Sequence, residues 1–341
     1  MKNKRIIYRI LLFISALLVT ACTNDPQDEG MESGSGLSMV AVTRSNEPFT
    51  VTDEYSPIGV FLVKTGTETQ SARFVYRPNE TIWKSSIEVT PNSQYAIYGY
   101  APADAVSAVI SAETLEGATL TFSDLPTLST HDVCFVVGVQ QVITTESITD
   151  PKNIEKDIPL GQFSFTGQTE NKNFVNLLMD HLYAGLKLQM TIDTEYARLR
   201  SIKIRKLELK APLSSTSATV QLVANTTGTS PVQSVTYDTA TGSERTAVFF
   251  EDTDGKALNA NELLDAMCCF SPTQSDNLTL VTTYDVYDRN GNKISERTAT
   301  NKLPNVRATR GERVTLNMTI NPTYLYVLSD PDLDNPTVVI N

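Results

Sequence analysis

The stretch His181–Asp193, HLYAGLKLQMTID, decides the fold class. Leu182, Ala184, Leu186, Leu188, Met190 and Ile192 fall on one side of a period-two pattern, and Tyr183, Lys187, Gln189 and Thr191 on the other. Successive side chains of a strand point to opposite faces, so this is a β-strand with one dry and one wet face. The next run, RLRSIKIRKLELK (198–210), keeps the alternation but slips between Ile204 and Leu207, the mark of a β-bulge.

The same period recurs outward in both directions, broken by Gly, Pro, Asn and Asp roughly every ten residues, as in a β-sandwich. Downstream, Asn290-Gly291 within TTYDVYDRNGNKISER (282–297) signals a hairpin, because Gly accepts the positive φ that a primed turn requires. RVTLNMTI (313–320) is another clean strand. Upstream, PIGVFLV (57–63), QYAIYGYAP (94–102), ATLTF (118–122), DVCFVVGVQQVIT (132–144) and GQFSF (161–165) are short strands between turns. Only NANELLDAM (259–267), with Asn259 or Asn261 as a cap, reads as a short helix.

A chain of 341 residues fits two domains better than one. The polar TGQTENKNF (166–174) separates the strand sets, which gives an N-terminal β-sandwich over 37–170 and a C-terminal one over 171–341.

The first residues set the compartment. Lys2, Lys4, Arg5 and Arg9 precede an apolar run, Ile10 to Val19, too short to span a bilayer. It ends in Val19-Thr20-Ala21-Cys22, the pattern of a bacterial lipoprotein signal over 1–21, with Cys22 as the lipidated residue. Residues 22–36, acidic and rich in Gly and Ser, form a flexible tether. The leader carries four basic and no acidic residues, so its removal takes the formal charge from −11 to −15. Such an acidic chain repels phosphate backbones, and nucleic acid is excluded as a partner. With Cys22 assigned to lipid, Cys134, Cys268 and Cys269 are an odd set that argues against a disulfide framework.

Residues that could carry chemistry are few. His131 and His181 each stand alone beside Asp132 or Asp180, as strand-edge structural histidines do. No serine sits in a nucleophile elbow and no Gly-rich loop leads a strand into a helix. Asp252 to Gly255 and Asp330 to Asp334 lack the spaced oxygen ligands of a calcium loop. The single Trp83 and the cluster Tyr95, Tyr98 and Tyr100 read as core and half-buried strand residues rather than a sugar platform. The expectation is a protein without cofactor or metal that is not an enzyme.

The two ends carry the functional signal. LSMVAVTR (37–44) alternates Leu37, Met39, Ala41 and Thr43 against Ser38, Val40, Val42 and Arg44. A cut after Arg44 by a trypsin-like protease would remove this strand and open an apolar groove. NPTYLYVLSDPDLDNPTVVIN (321–341) holds two short strand segments, Tyr324-Leu325-Tyr326-Val327-Leu328 and Thr337-Val338-Val339-Ile340. An uncovered terminal strand is an aggregation hazard unless a partner takes it up, and an open sheet edge can accept it by strand complementation. Such a head-to-tail contact does not close, so it builds a filament. The competing reading is that Thr337 to Ile340 pairs within its own domain.

VTAC (19–22), IWKSSIEVTPNSQYAIYGYAP (82–102), FVNLLMDHLYAGLKLQMTID (174–193) and PTYLYVLSDPDLDNPTVVIN (322–341), in this order, resemble the fimbrillin family, the subunits of type V pili in Bacteroides-group bacteria. The resemblance implies an all-β fold of two tandem transthyretin-like β-sandwich domains. It implies a lipid-anchored outer-membrane precursor, then an extracellular fimbrium formed after an Arg-specific protease cuts between Arg44 and Ser45. Neighbouring pilin subunits would be the partners, with 323–341 as the donor segment, and a stalk role fits better than a tip role. The sequence Asp238-Thr239-Ala240 resembles a short O-glycosylation acceptor of exported proteins in the same bacteria, with Thr239 as the acceptor. The alternative is a surface glycan-binding lipoprotein of a polysaccharide-uptake system.

Overall fold

The computed structural model describes residues 36–43, 55–142, 158–169, 173–225, 230–274, 277–303, 306, 308–320 and 337–340. The fold is all-β. In the first half the strands are β1 (Gly36–Thr43), β2 (Ile58–Val63), β3 (Gln70–Arg77), β4 (Ile82–Glu88), β5 (Gln94–Ala101), β6 (Ala108–Ser111), β7 (Gly117–Pro126), β8 (Leu128–Ser129), β9 (Cys134–Val142) and β10 (Ser164–Thr166). There follow β11 (Phe174–His181), β12 (Ala184–Ile192), a single helical turn α1 (Thr194–Ala197), β13 (Ser201–Ala211), β14 (Ser215–Val223) and β15 (Val232–Tyr237). The last strands are β16 (Arg245–Ala257), β17 (Leu264–Phe270), β18 (Leu278–Tyr287), β19 (Lys293–Leu303), β20 (Arg313–Ile320) and β21 (Thr337–Ile340).

Seven strands close a ring in the order β5-β2-β3-β4-β1-β11-β9, with β5 meeting β9 at Tyr100↔Phe135 and Ala101↔Cys134. Beyond those two pairs β5 and β9 part, and residues 160–166 fill the gap: Ile97 N donates to Phe163 O at 3.0 Å and Val139 N to Gln162 O at 2.7 Å. Closure removes the free edges that an open sheet leaves exposed. Alternate residues supply the inside, including Ile58, Val60, Leu62, Phe74, Tyr95, Ile97 and Trp83. The outer wall, with Phe61, Tyr98 and Phe135, is covered by a four-stranded sheet β15-β14-β7-β6 through Leu120, Phe122, Val220 and Leu222.

A third core lies between the sheets β21-β20-β12-β17-β8 and β16-β13-β18-β19. In β12, Ala184, Leu186, Leu188, Met190 and Ile192 are buried, while Lys187, Gln189 and Thr191 reach the surface, as the alternation requires. Tyr183, on the wet side of the pattern, departs from it: it is fully buried with Leu182 in the core outside the ring, and its hydroxyl donates to Pro126 O at 2.6 Å. The slip in β13 is a bulge between Ile204 and Lys206 against both neighbours. β18 and β19 form the expected hairpin, where Gly291 takes φ 82 and the Asp288 carboxylate accepts from Asn290 N and Asn292 N.

Two expectations need correction or restatement. NANELLDAM is not a helix. Asn259 Oδ1 accepts from Asn261 N in a local turn, and Leu264, Ala266 and Cys268 then alternate into the core of β17. The expected 170/171 division falls between segments that share sheets: β11 pairs with β1 and β9, and β14 pairs with β7. Residues 35–341 cluster as one unit. Period-two patterns tell which face is dry, not which strand lies alongside, and long-range pairing decided that here.

Candidate functional site

β1 occupies an interior place in the ring. It runs parallel to β11 from Ser38↔Phe174 to Thr43↔Met179, and antiparallel to β4 at Gly36↔Glu88, Ser38↔Lys84 and Met39↔Trp83. Among the described residues β4 and β11 have no ladder with each other, and β1 is the strand that joins them. Leu37, Met39 and Val40 are fully buried, and Ala41 and Val42 pack against the inner and outer cores. Three such side chains contribute roughly 5–9 kcal/mol of apolar burial. Without this strand, β4 and β11 would present two unpaired ladder edges above Trp83, Val175 and Leu177. The strand ends at Thr43, one residue before Arg44. Cys22, Arg44 and Ser45 themselves lie outside the described residues.

The other end of the chain is held differently. β21 pairs antiparallel with β20 at Leu316↔Ile340, Asn317↔Val339, Met318↔Val338 and Thr319↔Thr337, and among the described residues it has a neighbour on one side only. Thr337 to Ile340 therefore pairs within its own sheet, the arrangement set against the donor role in the sequence reading. Tyr324, Leu325, Tyr326, Val327 and Leu328 lie outside the described residues. Among the described residues the first strand is thus doubly paired and the last singly paired.

The aromatic residues weighed as a sugar platform turn inward. Trp83 is buried, and its Nε1–H donates to Ser56 O at 2.9 Å. Tyr95 and Tyr98 are buried too: the Tyr95 hydroxyl accepts from Thr90 N, and that of Tyr98 donates to Thr114 O. Asp252 to Gly255 form a solvated bulge in β16, where Asp252 accepts from Asp254 N. Thr239 is exposed in the loop after β15.

The two histidines differ. His131 is partly exposed, and its backbone N–H donates to Ser129 Oγ. His181 is 2% exposed at the end of β11, with Nδ1 2.6 Å from Asp132 Oδ2 and 3.6 Å from Cys134 Sγ. Both partners meet the same ring nitrogen, so the trio is not a relay in which an acid and a nucleophile take opposite nitrogens. Burial, then the Asp132 charge, pushes the Cys134 thiol up, which keeps it protonated. Sequence reading treated His181 and Cys134 separately. They meet because the β9–β11 register sets His181 against Cys134. Cys268 and Cys269 face different cores, as adjacent strand residues must, and all three described cysteines are buried thiols outside any disulfide.

No protein-family model matches the chain, and no curated protein matches its sequence. Among solved structures, the chain is similar to a "putative cell adhesion protein" from Bacteroides uniformis, with 13% identity and TM-score 0.42 over 90% of this chain and 96% of that one. It is similar to another of that description from Bacteroides fragilis, with 12% identity and TM-score 0.41 over 90% and 97%. A fimbrial protein from Bacteroides vulgatus matches with 14% identity and TM-score 0.37 over 90% and 98%. Likeness at this level assigns no role to the chain.

Proposed function

We propose that the chain is a structural subunit of a cell-surface fimbrium rather than an enzyme, exported as a lipoprotein on Cys22 and assembled by strand exchange. In this reading an Arg-specific protease cuts between Arg44 and Ser45, and β1 leaves with the lipid. The tail of a neighbouring copy then fills the place between β4 and β11. The observation that carries the reading is the position of β1: among the described residues it is the only strand joining β4 to β11, and it ends one residue before Arg44.

The energetics give the exchange its logic. Roughly 5–9 kcal/mol of burial holds β1 in the uncut chain. The vacancy cannot stay empty, because it exposes apolar side chains and two rows of unpaired backbone groups. A strand from another copy restores both. The last strand suits this part, because it gives up one ladder in its own sheet and gains two in the slot. Its Thr337 to Ile340 segment, with Tyr324 to Leu328 upstream, supplies the donor. The burial of Trp83, Tyr95 and Tyr98 weighs against the glycan-uptake alternative.

The reading is tested by deleting Asp334 to Asn341 and examining the cell surface by electron microscopy. Fibres should disappear while the precursor is still exported. Fibres of normal length from the truncated chain would overturn the donor assignment.

A further inference from the structure

We propose that Asp132, Cys134 and His181 form a buried site for a zinc-class divalent metal ion that clamps β9 to β11. Their ligating atoms lie within 4.8 Å of one another and all three residues are buried. The trio combines a carboxylate, a thiol and an imidazole, the mixture that suits zinc rather than calcium or magnesium.

The distances fit with one local adjustment. Bonds of about 2.3 Å to sulfur and about 2.0 Å to nitrogen at a tetrahedral angle place those two ligands about 3.5 Å apart. Cys134 Sγ and His181 Nδ1 are 3.6 Å apart. The 2.6 Å contact between His181 Nδ1 and Asp132 Oδ2 is a hydrogen-bond length. A metal would replace the shared proton and spread this pair by about 0.7 Å, since tetrahedral oxygen and nitrogen ligands sit about 3.3 Å apart.

Charge points the same way. Asp180 is already answered by Arg310, whose Nη1–H donates to Asp180 Oδ2 and to His181 O, each at 3.0 Å. Asp180 Oδ1 also accepts from His181 N at 3.0 Å, so the backbone carrying the imidazole is held on two sides. Second-layer contacts of this kind fix a ligand's orientation. A dication with the Asp132 carboxylate and the Cys134 thiolate makes a neutral set, which lets Cys134 ionise without leaving net charge in the interior. On binding, Cys134 releases its proton to solvent, the proton shared by His181 Nδ1 and Asp132 passes to solvent or to Nε2, and no redox step is involved.

The purified full chain, stripped with a chelator and titrated with Co²⁺, decides the matter. One equivalent should produce a thiolate-to-cobalt charge-transfer band with the visible bands of tetrahedral cobalt, and Zn²⁺ should displace it and raise the thermal midpoint. Cys134→Ser should lose the charge-transfer band, and His181→Gln should lose saturable binding. Since His181→Gln changes a buried pair and can unfold the chain, the wild-type protein supplies a second readout. Bound metal should protect Cys134, and not Cys268 or Cys269, from alkylation mapped by mass spectrometry. Absence of the band and of the midpoint shift in wild type, or a band that survives in Cys134→Ser, would overturn the site.

Discussion

Met39 and Trp83 sit directly opposite each other across the β1–β4 ladder, and both are buried inside the ring. Met39 belongs to the strand proposed to leave on maturation, whereas Trp83 belongs to the wall that stays. The pair therefore separates the precursor's stability from that of the assembled subunit.

Met39→Ala should lower the unfolding free energy of the uncut precursor by about 2–5 kcal/mol, the usual range for truncating a buried methionine. The same substitution should leave cleaved, assembled subunits unchanged. Denaturant melts of both forms check this, and equal destabilisation of the two would mean that β1 remains in place.

Gly99→Ala gives the complementary result. A Cβ there would lie 2.6 Å from Gly59 O, a backbone atom of β2 that cannot swing aside. Precursor and assembled subunit should both lose about 1–3 kcal/mol from the forced shift. Circular-dichroism melts would show it.

Removing Arg310 strips a buried carboxylate of its ion partner. Arg310→Met should cost about 3–5 kcal/mol, because it removes the guanidinium that pairs with the Asp180 carboxylate, which is 8% exposed. Adding Asp180→Asn should recover part of the loss. A double-mutant cycle by chemical denaturation measures the coupling, and strictly additive losses would count against the pair.

Alkali should weaken the fold. Burial pushes the Cys268 thiol up from the usual 9.0 to about 12, opposed in part by the Ser129 and Cys269 backbone and by the nearby Arg245 charge. Burial raises the Cys134 thiol and the Tyr98, Tyr183 and Tyr237 hydroxyls in the same direction. A group whose folded pKa exceeds its unfolded one contributes fully below the unfolded value, and that contribution is lost as pH rises through the folded value. For Cys268 the window runs from 9.0 to about 12. Each such group adds a slope of about 1.4 kcal/mol per pH unit within its window. Unfolding free energies measured from neutral pH into this range should fall, and less steeply in Cys268→Ala.

The sequence pattern made individual strands legible wherever one face was dry and the other wet. β20 was located from Arg313 to Ile320 with both ends correct, and the bulge around Arg205 was visible as a slipped period. The helix expected at 259–267 failed because Leu263, Leu264 and Met267 fit a helical spacing as well as a strand start. Leu264 lies in β17 because Ala266, Cys268 and Phe270 continue its alternation into the third core. Partner choice was not legible. Nothing local says that Phe174–His181 lies against β1 and β9, or that Ser215–Val223 covers the outside of the ring. The meeting of Asp132, Cys134 and His181 was hidden for the same reason, since it follows from antiparallel register between strands about 47 residues apart. β1 was legible as a strand, but its place between β4 and β11 was not.

The most direct test of strand exchange is mass spectrometry of the chains that make up purified surface polymer. The expected result is subunits that begin at Ser45, with no peptide covering Gly36–Thr43 retained in the fibre. Polymer built from chains that keep lipidated Cys22 and the Gly36–Thr43 strand would contradict it.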